Sequence, residues 1–155
     1  MFENKKGEAM GVNYIVLALL PDEKDRIVAW LSELGIACPA GESRYPSIEE
    51  LRSVLDHLEG YTICYNTKIG DWYADISQTD LVAGDWTVLL VSNYKGNDPD
   101  PHEFSFRHGS PLLMLRILQR LARTCGPLIL FPDTGDLPLV VTPELDLAQA
   151  LHAWD

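Results

Sequence analysis

Residues 14–20 (YIVLALL) form an unbroken apolar run, the pattern of a strand covered on both faces. Pro21 and Asp22 then open a segment in which Ile27, Val28, Leu31 and Leu34 share one helical face, with Gly35 placed to end it. A loop holding Pro39, Gly41 and Pro46 leads to Ser47 and Glu50. Their spacing is that of a capping box, in which each side chain satisfies a backbone donor the helix leaves free. Ile48, Leu51, Leu55 and Leu58 make the apolar stripe of this second helix, and Gly60 stops it.

The middle of the chain changes period. Residues 61–65, 72–76 and 86–94 are rich in β-branched and aromatic side chains and are separated by turn formers. Residues 103–107 (EFSFR) alternate strictly. The triplet Gly-Asp-Trp opens a strand at Gly70 and again at Gly84, and two matches of this size do not make a repeat. Ser110 and Pro111 supply the N-cap and first position of a third helix. Leu112, Met114, Leu115, Ile117, Leu118, Leu121 and Ala122 occupy most of its circumference, while Arg116, Gln119, Arg120 and Arg123 fall in one narrow arc. That predicts a helix buried on most sides with a single polar strip. Gly126 and Pro127 stop it, two short strands follow at 128–131 and 139–141, and a last helix covers about residues 144–154.

The order is strand, helix, helix, four strands, helix, two strands, helix. Four successive strands imply an antiparallel meander, and the helices are expected to cover one face. The fold class is α+β, as a single domain over residues 13–155 preceded by a flexible segment over residues 1–12. At 155 residues the chain can bury a sizeable core without staples.

Charge narrows the function. The formal net charge is -11, which disfavours nucleic acid and anionic membrane surfaces. Residues 103–126 are the exception, with Arg107, Arg116, Arg120 and Arg123 against Glu103 alone. Such a strip either pairs with the surplus acids or meets an anion. Cys38, Cys64 and Cys125 are widely spaced and include no Cys-x-x-Cys, so reduced thiols in a cytoplasmic protein are expected, with Cys64 and Cys125 in the core. The apolar run at 14–20 is too short to span a bilayer.

Two loops carry candidate chemistry. Residues 131–135 (FPDTG) contain the Asp-Thr-Gly of aspartic proteases, but Pro132 and Asp136 break its usual apolar surroundings and little chain follows; a turn between strands is the better reading. Asp98, Asp100, His102 and Glu103 are the densest set of potential metal ligands. Pro99 and Pro101 hold their neighbours extended and splay alternate side chains, so no metal or other cofactor is expected. Asp98 and Asp100, together on a predicted loop tip, are instead the first choice for contact with a protein partner.

The segments LLVSNYKG, HEFSFRHGS and CGPLILFPDTGDLPLVV, between Trp86 and Val141, carry a resemblance to bacterial immunity proteins. It is a resemblance of type: small, acidic, single-domain, α+β, without a catalytic motif. It implies a non-catalytic protein that binds and blocks a cognate toxin, often a basic nuclease. Two alternatives stand beside it. One is a metal-dependent enzyme using the 98–103 loop, and the other is a structural or regulatory homo-oligomer that buries its aromatic edges.

Overall fold

In chain order the computed structural model contains β1 (Asn13–Ala18), α1 (Lys24–Glu33), α2 (Ile48–Asp56), β2 (Tyr61–Lys68), β3 (Asp71–Gln78), β4 (Trp86–Val91), β5 (Ser105–Gly109), α3 (Pro111–Cys125), β6 (Leu128–Pro132), β7 (Leu139–Val141) and α4 (Leu147–Leu151), followed by a 3-10 turn at His152–Trp154. The structure describes residues 12–80 and 84–154, so the flexible segment expected over residues 1–12 lies, except for Val12, outside the described residues.

All seven strands join one antiparallel sheet in the order β2-β3-β4-β5-β1-β6-β7. The meander predicted from the middle of the chain is β2 through β5. The first strand is then inserted beside the last of them, with Tyr14 facing Phe106 on one side and Pro132 on the other.

The local signals act as expected. Ser47 Oγ accepts the Glu50 amide at 3.1 Å and Glu50 returns the bond to the Ser47 amide at 3.0 Å. Ser110 Oγ accepts the Leu113 amide at 3.2 Å, with Pro111 at the first helical position of α3. Gly126 ends α3 at φ +89, where a Cβ would come within 2.9 Å of the Ser43 side chain, so glycine answers both the turn and the close approach.

One face of the sheet carries Tyr14, Val16, Ala18, Trp72, Ala74, Ile76, Leu89, Phe106, Leu128 and Leu130, packed with α2 and α3 into the main core; α4 joins its margin. Leu113, Met114, Leu115, Ile117, Leu118 and Leu121 of α3 are all buried there. The expectation of helices on one face describes α2, α3 and α4. α1 is the exception. Its Ile27 and Leu31 form a second cluster with Leu19 and Ile129, and Trp30 meets Phe131 edge-on at 5.4 Å. Alternation along β6 puts Ile129 and Phe131 on the face opposite Leu128 and Leu130. This accounts for part of the continuous apolar run at 14–20: Leu17 and Leu19 pack with α1 on the second face, while Ile15 is exposed there.

Elsewhere no helix among the described residues covers the second face, and Cys64 shows the consequence. Ile63 and Tyr65 take the covered side, so Cys64, in register with Asp75, is exposed rather than in the core. Cys125 is buried as expected.

Candidate functional site

The 98–103 loop is laced to the start of α2. The Tyr94 hydroxyl donates to Asp98, and Asn97 donates to the Asp100 carboxylate. The Ile48 amide donates to the Asp98 carbonyl at 3.1 Å, and the His102 amide to Pro46 O at 2.9 Å. Asp98 is half-buried and Asp100 exposed, and each accepts a hydrogen bond from within the loop. Glu103 points away to a different surface, described below. Among the described residues no group of three or more His, Cys, Asp or Glu side chains is placed to hold a metal ion.

The arginines also separate. Arg116, Arg120 and Arg123 line the exposed flank of α3. Arg120 donates to His57 O at 3.0 Å, and Arg120 and Arg123 wall a hollow of about 400 Å³ with Ser53 and His57 of the α2 end. Arg116 lies by Tyr61 and Asp85. Gln119, in the same arc, is turned inward and donates to Leu145 O at 2.7 Å. Arg107 is not part of this strip. It sits on β5 beside Asn13 and Val88, on the open face, because Phe106 takes the covered side.

A row of hollows runs along the inner flank of α1, over the second face of β1 and β6. It consists of three adjoining hollows. The first, about 390 Å³, has Ile15, Leu17, Tyr45 and Phe104 with Glu23 and Glu103 in its wall. The second, about 420 Å³, shares Leu17 and Glu23 and adds Ile27, Trp30 and Phe131. The third, about 370 Å³, shares Trp30 and Phe131 and adds Leu34 and Leu137 with Asp133 and Asp136. Ile15 in the first hollow is 38% exposed, and Leu34 and Leu137 in the third are 39% and 45% exposed.

No family model, curated protein or solved structure matches the chain.

The electrostatics of this groove are one-sided. Glu23, Glu103, Asp133 and Asp136 line it against Arg26 alone, whose exposed contact with Glu23 at 3.9 Å is too loose to offset them. Their fields converge on nearby phenols. Burial pushes the Tyr45 hydroxyl up, a bond to the Ala18 backbone opposes this, and Glu103 and Glu23 raise it further. Burial pushes the Tyr14 hydroxyl up in the same way, reinforced by Asp136 and Asp133. An apolar floor with an acidic rim suits a segment that brings a large apolar side chain between Lys or Arg residues.

Sequence reasoning missed this surface. Its apolar residues were visible as periodic positions, but the acids at 23, 103, 133 and 136 converge only through the pairing of β1 with β5 and β6. The signal that pointed there was the two-faced apolar run of β1.

Proposed function

We propose that the chain is a non-catalytic protein-binding module whose α1 groove receives a basic, apolar-anchored segment of another protein, in the specific form of an immunity protein that neutralises a basic toxin. The observation that carries this reading is the acid-rimmed apolar groove. The net charge of -11 supports it, since a strongly acidic surface accelerates encounter with a basic partner. Asp98 and Asp100 do not line this groove, so the reading does not rest on them. Nothing in the geometry of that loop favours the metal-dependent alternative.

The test is calorimetric titration with an amphipathic peptide of alternating leucine and lysine and with its leucine–glutamate counterpart. The basic peptide should bind and the acidic one should not. Trp30→Ala should weaken binding by about tenfold or more, the scale of an interface anchor. Reversal of Asp133 and Asp136 to lysine should mainly slow association. Equal binding of both peptides, or binding untouched by either variant, refutes the groove. The immunity form adds a second condition. The product of the adjacent gene must arrest growth when expressed alone and lose that effect when co-expressed with this chain.

A further inference from the structure

β2 closes one edge of the sheet, and among the described residues only β3 pairs with it. The Thr79 amide donates to Gly60 O at 2.8 Å, which sets the phase of the ladder. Thr62, Cys64 and Asn66 turn their backbone groups toward β3, and Tyr61, Ile63, Tyr65 and Thr67 turn theirs outward. Natural edges are guarded by charge, proline or a bulge. Residues 61–67 contain no charge and no proline, and the β2–β3 register runs unbroken from Tyr61 to Lys68.

The outward groups are self-complementary in one register. With Tyr61 opposite Thr67 of a second copy and Ile63 opposite its Tyr65, every outward N–H and C=O from residues 61 to 67 finds a partner. A shift by two residues leaves an end unpaired. This register places Cys64 on the two-fold axis, opposite Cys64 of the second copy, as a non-hydrogen-bonded pair. Such pairs hold their Cα atoms about 4.5 Å apart, inside the span a disulfide bridges. Exposed Lys68 falls opposite Gly60 of the other chain, one position from its Glu59. The faces match as well, since Tyr61, Ile63 and Tyr65 are only partly covered on the helix side and would gain cover.

We propose that the chain forms a two-fold homodimer by antiparallel β2–β2 pairing centred on Cys64, joining two sheets into one. The inference is independent of the groove, which lies at the β1–β6 end and stays open in both copies. The net charge of each chain opposes association at range, so added salt strengthens the dimer.

Sedimentation velocity of the full chain under reducing conditions, from micromolar to submillimolar concentration, tests the pairing. Wild type and Cys64→Ser should dimerise. Cys64→Lys sets two like charges face to face on the axis at an exposed position, and Thr67→Pro removes an outward donor at a site where an edge strand tolerates proline. Both variants should be monomers with unchanged circular dichroism. Oxidised glutathione, which takes up two electrons and two protons as two thiols join, should link the wild-type dimer through Cys64 and leave Cys64→Ser unlinked. A wild type that stays monomeric throughout, a dimer that survives both Cys64→Lys and Thr67→Pro, or a disulfide mapped to Cys38 would each overturn the proposal.

Discussion

Replacing Gly109 by alanine isolates the cost of a close backbone approach. Gly109 ends β5 at φ +100, opposite Thr87 where the β4–β5 register shifts. A Cβ there would lie 2.0 Å from the Trp86 carbonyl oxygen and 2.9 Å from Thr87 Cα, both backbone atoms. The strands must part by about 1.5 Å to restore ordinary contact. Two bonds span that gap: the Ser110 amide to Trp86 O at 2.8 Å, and the buried Thr87 hydroxyl to His108 O at 2.8 Å. Each contributes about 1 kcal/mol. The positive φ adds roughly 1–2 kcal/mol for any residue with a Cβ. Gly109→Ala should therefore cost about 3–4 kcal/mol. Gly41 is the internal reference: its φ is +104 and nothing lies within 4 Å of its virtual Cβ. Gly41→Ala should lose only the conformational part, about 1–2 kcal/mol. The gain from a stiffer unfolded chain is common to both and cancels. Urea unfolding followed by tryptophan fluorescence reads the difference. Equal losses at the two positions would refute the close-approach argument.

Leu118→Ala should cost about 2–5 kcal/mol in the same assay, since the side chain is 0% exposed between α3 and the sheet, and a loss below about 1 kcal/mol would place it outside the core. The Glu50 carboxyl is held at about 2, against an ordinary 4.5, first by its hydrogen bond to Arg44, a two-pronged contact at 2.8 and 2.7 Å. A depressed carboxyl stabilises the fold above its unfolded value and loses that contribution as pH falls from 4.5 toward 2. Glu50→Gln should cost about 1 kcal/mol at neutral pH, solvent screening keeping it modest, and the gap from wild type should close as pH falls through that window; a gap independent of pH would contradict the ion pair.

Local chemistry made the helices legible. Ser47 with Glu50, Ser110 with Pro111, and Gly126 each act within a few residues, so their structural roles follow from neighbours in sequence. The period-two run through β2 to β5 likewise implies its own pairing. What stayed hidden depends on which side of the sheet a helix covers. α1 has the same kind of apolar stripe as α2, and nothing in that stripe says which face it seeks. Cys64 and Arg107 were misplaced for the same reason: a strand position is inside or outside according to a cover supplied from elsewhere. The bonds from Tyr94 to Asp98 and from Asn97 to Asp100 were not legible, since such contacts leave no periodic trace. The groove was the least legible, being assembled from four separated stretches of chain.

The position of β1 also bears on how the protein is made. Asn13 finds its partner in Arg107, and Tyr14 in Pro132, whereas β2 to β5 pair with strands made just before or after them. During synthesis the meander can zip as it emerges, but β1 must wait for β5, about ninety residues later, and then for β6. At typical translation rates that delay is on the order of ten seconds. Throughout it, a continuous apolar run is exposed and without a ladder. The sheet cannot close around β1 until β5 and β6 are both made, and the nascent chain carries an unpaired apolar segment until that event.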